Sequence, residues 1–321
     1  MKNFRTELNV SPWPILSHEQ SILTLGSCFA AHVGQRLLEF KWIGLNAPFG
    51  TLFHPLALEK LLRMAVNEED LDEALFVDHD GAFFHHDLHS SFYATSRKTL
   101  QEMWQAKAKQ LRECLAKKPL VLITFGTAFV HDLKDSGTTV ANCHKQASSI
   151  FQKRLLGWGE IRNSLCHIRD LLPEGSCIIT SLSPVRHTRD SLPLNSLSKS
   201  LLRVALQEWS DTNEDRVHYF PAYEIMIDDL RDYRFYERDG IHPSAEAIDY
   251  IWGKFCEVYL KPEALDFITA WQAVRSALLH RPQRMDAPSY QQFIRKILLD
   301  IESLRSIACE AEKIELKSRL L

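Results

Sequence analysis

No excess of basic charge marks this chain. Its 38 Lys and Arg stand against 41 Asp and Glu, a net charge of −3 over 321 residues, with a pI near 6.5. Such a surface lacks the positive field that grips a phosphate backbone, so no nucleic-acid partner is expected. Cysteine pairing is also missing. The seven cysteines (Cys28, Cys114, Cys143, Cys166, Cys177, Cys256 and Cys309) are scattered, odd in number and free of any CxxC pair. That argues against a disulfide framework and a zinc ribbon, and suits a reducing cytoplasm. No stretch approaches the roughly 18 apolar residues of a membrane span, and the first twenty residues hold no continuous apolar segment of the signal-peptide kind. A soluble cytoplasmic protein with no membrane partner is expected. Internal repeats and low-complexity tracts are absent as well. What is present is ordinary globular composition, 45% hydrophobic and 25% charged, enough to bury a sizeable core without disulfides or a structural metal.

The apolar runs give the frame. Residues 21–25 (SILTL) read as a strand ending at Gly26, followed by a helix over 29–40 with one apolar face. Residues 46–55 (NAPFGTLFHP) read as an ordered loop and 56–67 as a helix. A hairpin is predicted at Asp80-Gly81 and a long amphipathic helix over 99–116. Further buried strands are expected at 120–125, 177–182 and 217–220, with helical stretches at 145–172, 196–210 and 244–259. Strands alternating with helices of this length predict a parallel sheet covered on both faces. Two domains are expected: an α/β domain over 1–261, and a helical extension over 262–321 with an amphipathic, charged segment at 296–320. The extension would pack on the domain or join a second copy, giving a homo-oligomer.

Ligands of doubly wound sheets bind beyond the carboxyl ends of the strands. Four segments fall there: Gly26-Ser27-Cys28, Gly126-Thr127-Ala128, Ser183 to His187, and Asp239-Gly240-Ile241-His242. Cys28 opens a helix, where the dipole and free amides favour an anion and lower a thiol's pKa. Ser27 offers a hydroxyl beside it, and a lone Cys28 would otherwise be a small buried residue of the turn. In Asp239-Gly240-Ile241-His242-Pro243-Ser244 the carboxylate is placed to fix an imidazole tautomer, with Ser244 as an N-cap. The His85-His86-Asp87-Leu88-His89 cluster invites a metal. However, neighbouring side chains of an extended segment face opposite ways, and neither a metal nor another cofactor is expected.

Gly26-Ser27-Cys28-Phe29-Ala30 spells the signature of the GSCFA family. Further blocks follow in that family's order: Asn46 to Gly50, His89-Ser90, Gly126 to Ala128, Val140 to Lys145, Ser183 to His187 and Asp239 to Ser244. Together they span about residues 20–250, so the chain resembles that family through most of its length, up to 262. The resemblance extends to the SGNH/GDSL hydrolases. It implies a flavodoxin-like three-layer α/β/α fold with a central, mostly parallel sheet, and ester chemistry through an acyl-enzyme intermediate. Cys28 falls on the nucleophile, Ser27 on the preceding Asp, and Asp239 and His242 on the final Asp-x-x-His block. Ala128 stands where the oxyanion Asn belongs, so Asn142 or Asn46 would replace that amide, with backbone amides of Cys28 and Gly50 beside it. The block residues Gly126, His89, His144 and Lys145 would line the pocket. Arg186 and His187 would bind a substrate carboxylate or phosphate, or else serve in structural hydrogen bonds.

The resemblance therefore implies a hydrolase or acyltransferase working on a small-molecule or carbohydrate ester through Cys28, or through Ser27 with Cys28 merely packing. Two other readings stand beside it. One is a binding module that kept the fold and lost the oxyanion hole; the other gives the C-terminal helices the working role in assembly.

Overall fold

The computed structural model describes residues 8–303 and 309–320. Its centre is a five-stranded sheet of β1 (Ile22–Gly26), β2 (Gly44–Asn46), β5 (Leu120–Phe125), β9 (Ile178–Leu182) and β10 (Val217–Tyr219). Every pairing is parallel, in the order β2-β1-β5-β9-β10. Numbered by their appearance within that sheet, this is the 2-1-3-4-5 order of flavodoxin-like folds, whose direction of winding reverses between β1 and β5. The expected fold class holds.

Alternation along the strands feeds two apolar layers, as it must when both faces of a sheet are covered. Leu23, Leu25, Val121, Ile123 and Phe125 face the layer of α2 (Pro55–Val66), α3 (Arg97–Leu115), α4 (Trp158–Leu171) and α5 (Leu192–Asp211). Ile22, Leu120, Leu122 and Ile179 face the layer of α1 (Cys28–Glu39), the short α6 (Ala222–Glu224) and α7 (Ala245–Tyr259). The C-terminal helices α8 (Pro262–Leu279), α9 (Pro288–Ser303) and α10 (Glu310–Lys317) share that second core through Trp271, Ile294 and Leu316. Trp271 Nε1 donates to the Glu39 carbonyl at 3.0 Å, and Arg275 pairs with the Glu39 carboxylate at 2.7 Å. Of the alternatives for the extension, the apolar faces meet the chain's own domain. Part of the amphipathic segment expected at 296–320, residues 304–308, lies outside the described residues.

Two local expectations are corrected. The helix expected over 145–172 begins only at Trp158, where the Glu160 carboxylate accepts the Gly157 N–H at 2.8 Å. Before it, β8 (Phe151–Leu155) pairs antiparallel with β6 (Phe129–Leu133), which also pairs with β7 (Thr139–Val140). β8 exposes Gln152 and Lys153, so its strand pattern is too weak and short to outweigh the neighbouring helical period. Asn46, expected in a loop, ends the edge strand β2, which three residues make too short to signal itself. The predicted hairpin forms from β3 (Phe76–His79) and β4 (Ala82–His85), with Asp80 and Gly81 both at positive φ as a tight two-residue turn requires.

Gly26 is where the strand hands over to the helix. It sits at φ +102°, and a Cβ there would lie 2.1 Å from the Thr124 carbonyl oxygen on the neighbouring strand. Gly26→Ala is expected to cost about 3 kcal/mol through backbone strain and overpacking. Chemical denaturation measures it, and a loss below about 0.5 kcal/mol would contradict the account of this turn.

Candidate functional site

Register places the site. Gly26 pairs with Thr124, and Thr124 with Ser181. Two residues further on, Cys28, Gly126 and Ser183 form a row across the carboxyl ends of β1, β5 and β9, at the strand reversal. Ser27 caps α1 and its N–H donates to the Thr124 carbonyl at 2.7 Å, while its buried Oγ has no partner. Cys28 is the first residue of the helix and is half-buried. Its own amide and that of Phe29 favour the thiolate, as does the charge of Lys199, but burial outweighs them and raises the thiol above its ordinary value. The expected depression at the helix N-terminus is thus reversed. Desolvation penalises the anion more than the helix end rewards it.

The loop before α7 presents the Asp239–His242 pair. Asp239 Oδ1 accepts the N–H groups of Ile241 at 2.8 Å and His242 at 3.0 Å, and Oδ2 lies 2.7 Å from His242 Nδ1. These bonds hold the Asp239 carboxyl down to about 2. An ionised carboxylate only accepts, so it fixes the imidazole proton on Nδ1 and leaves Nε2 available. The Arg186 guanidinium donates to the Gly240 carbonyl at 3.1 Å, and its backbone N–H to Ile241 at 3.1 Å. Arg186 therefore carries the loop, with its charge over the rings of Tyr233 and Tyr236. The His242 charge reaches His32, one turn along α1 from Cys28, and His187 beyond β9. Among the described residues no hydrogen bond joins the imidazole to the thiol.

Two of the expected oxyanion donors, the Asn46 amide and the Gly50 N–H, are otherwise engaged. Asn46 takes the Thr24 hydroxyl on its oxygen and gives its amide to the Ala31 carbonyl at 3.1 Å. The Gly50 N–H donates to Ala47 at 2.9 Å within a tight turn, its φ of +72° and missing Cβ allowing His89 to pack against it. Asn142 bonds to His86 through its backbone and accepts the His144 N–H on its side chain. His144, buried and held down to about 4, uses Nε2 on the His85 carbonyl at 2.8 Å, and Lys145 points to solvent. Asn142 and His144 are thereby tied to the β3–β4 hairpin. Ala128 is sealed, its N–H on Ser198 Oγ at 2.7 Å. His89 bonds to Ser91 through Nδ1. Among the described residues, no group of three or more His, Cys, Asp or Glu side chains could hold a metal.

Two residues that the sequence assigned no catalytic part stand in the row. His187 Nε2 is buried, lacks a partner, and occupies the space beside Gly126, where a Cβ would come within 2.9 Å of it. Burial, with the charges of Lys199 and His242, keeps the ring neutral down to about 4. Lys199 on α5 is 2% exposed. Its sequence signal was there: Asn195, Ser198 and Lys199 share helical spacing with Leu202, Ala205 and Leu206, so polar side chains fall on the buried face. A cleft of about 360 Å³, lined by Arg186, Asn195, Tyr223, Tyr233 and Tyr236, opens beside the loop. A wider one of about 720 Å³ lies among Arg112, Lys118, Arg169 and Arg216, at the amino ends of the strands. No Cys, Ser or Thr lines it, and it lies at the end of the sheet away from the row.

No helix among the described residues is long and apolar enough to cross a membrane. No curated protein and no solved structure matches the chain. Family models do match it: the GSCFA family over residues 21–255, and the GSCFA domain protein, C-terminal domain, over 271–321. The first match takes in the row at the strand ends, the Asp239–His242 loop and most of the chain, and the protein belongs to the GSCFA family.

Proposed function

We propose that this protein cleaves or transfers an acyl group of a small-molecule or carbohydrate-linked ester, in the manner of the SGNH/GDSL hydrolases, with Cys28 as nucleophile. The observation that carries this reading is the Asp239–His242 pair, oriented by three hydrogen bonds and close enough to be felt by His32, one turn along the helix that Cys28 opens. His242 Nε2 takes the thiol proton as sulfur attacks the ester carbonyl carbon. The tetrahedral intermediate then collapses, and His242 returns the proton to the departing alkoxide, leaving the acyl group on sulfur. Water or an acceptor hydroxyl attacks next, giving its proton to the same nitrogen, and Cys28 is restored. The raised thiol suits this order of events, because the proton leaves during attack and not before it.

His187 takes the place of the absent oxyanion amide, with its proton on Nε2. A neutral imidazole donates to a developing oxyanion without first forming an ion pair with the thiolate, and its low pKa keeps it neutral above about 4. His187→Ala is expected to lower turnover about 10²-fold while leaving KM within a fewfold. Steady-state kinetics check this, and an unchanged kcat would remove His187 from the reaction.

Hydrolysis of short p-nitrophenyl esters, with sugar hydroxyls added as competing acceptors, tests the reading and divides hydrolase from transferase. The sealed Ala128 and the engaged Gly50 amide favour a second reading, a binding module of the same fold. That reading predicts no turnover, no adduct with thiol-directed acyl probes, and ligand protection against melting.

A further inference from the structure

α5 braces the site along one buried face. Asn195 Oδ1 accepts the His187 N–H at 2.8 Å, and Ser198 Oγ holds the Ala128 N–H. Lys199 Nζ donates to the Ser183 carbonyl at 2.7 Å, which fixes an ammonium in the same row as Cys28. At the strand spacing of about 4.8 Å, Ser183 lies two strands from Cys28, with Gly126 between them.

The surroundings of this ammonium are unusual. It is almost completely buried, lies 5.2 Å from the centre of the Tyr223 ring, and among the described residues has no carboxylate within ion-pair distance. The nearby anion, Glu224 on α6, already accepts the Tyr219 hydroxyl at 2.9 Å and the Arg203 guanidinium at 3.0 Å. Among the described residues, the other titratable groups coupled to it are Cys28 from α1 and His187 from the segment after β9, with His242 of the loop before α7 acting in turn on His187. A buried cation without a partner is costly. Of these groups, only Cys28 turns anionic during the reaction.

We propose that Lys199 is the buried counter-ion of Cys28, a positioning residue whose ammonium, anchored on the Ser183 carbonyl, stabilises the thiolate as it forms. This rests on the reading of Cys28 as the reactive thiol, but not on any ester being the substrate. The thiol proton goes to His242 and the ammonium keeps its own. Burial brings Lys199 down to about 7. The stabilisation is therefore strongest below neutrality and fades as pH rises and the amine empties, while a thiolate anywhere else only becomes more abundant.

The test is the pH profile of Cys28 alkylation by iodoacetamide, read peptide by peptide so that the other six cysteines serve as internal controls. Lys199→Gln can keep the bond to Ser183 without the charge, and Lys199→Arg keeps the charge. Lys199→Gln is expected to slow Cys28 alkylation at least tenfold at pH 7 with the other cysteines unchanged, and Lys199→Arg to stay within about threefold of wild type. Lys199→Met repeats the neutral substitution in case the buried amide of Gln disturbs folding. A wild-type profile in both neutral variants, or an equal loss in the Arg and neutral variants, would overturn the proposal. The two readings fail separately. A protein without ester turnover whose Cys28 still responds to Lys199→Gln keeps the counter-ion and loses the acyl chemistry; Cys28-dependent turnover with an unresponsive profile does the reverse.

Discussion

Cys28→Ala is expected to lower ester turnover by about 10³-fold or more, the scale of losing a covalent nucleophile while its surroundings remain. The residue opens α1 at the strand reversal, and the positive φ of Gly26 aims it beyond the sheet. Ala fits the same helix start, so fold and melting temperature should hardly change. Cys28→Ser should recover part of the activity, because a hydroxyl in the same place can still pass its proton to His242 but attacks less readily than a thiol. Ser27 is the alternative nucleophile. It is the N-cap, one position before the helix start that carries Cys28, and its side chain makes no capping bond, so Ser27→Ala should cost little. kcat/KM for p-nitrophenyl acetate measures all three, and full activity in Cys28→Ala would pass the role to another group.

His242→Ala is expected to lower turnover about 10³-fold, within the range general-base catalysis supplies. Without an imidazole the raised Cys28 thiol stays protonated near neutrality, and the leaving alkoxide has no proton donor. Asp239→Asn should come close to the same loss. An amide can donate to Nδ1 and turn the ring to the tautomer whose Nε2 carries the proton and accepts none. Because the Asp239 carboxyl titrates at about 2, it stays ionised through the working range. A fall in activity between about pH 4 and 7, above that value, would therefore belong to a group other than this carboxyl. If Asp239→Asn instead keeps most of the wild-type rate, the carboxylate merely stiffens the loop.

The sequence exposed some of this more readily than the rest, for physical reasons. β5, with six consecutive buried residues, and β1 and β9, with five each, announce themselves because a doubly covered parallel strand has no polar face to interrupt it. β2 and the β6–β8 layer are short or half-exposed, so neighbouring loop and helix patterns mask them. The Asp239–His242 loop was legible because its chemistry is local, a carboxylate and an imidazole three residues apart. The oxyanion side was not. Asn46, Gly50 and Asn142 carry the right groups, but whether a donor is free depends on Thr24, Ala31, Ala47, His86 and His144, which only the folded chain brings near. His187 stands across the sheet from Cys28 and spacing along the chain does not reveal it, whereas Lys199 leaves a trace in the helical spacing it shares with Leu202, Ala205 and Leu206. The thiol itself shows the same limit. A helix N-terminus can be read from residues in order, whereas the desolvation that outweighs it belongs to the packed molecule.

The most direct measurement is peptide-resolved mass spectrometry of protein quenched during turnover of p-nitrophenyl acetate. One acetyl group on Cys28, absent from Cys28→Ala and lost on longer incubation with wild type, is the expected result. Turnover with the acetyl group on Ser27 or elsewhere, or with none on Cys28 under any quench, would contradict the assignment of Cys28 as nucleophile.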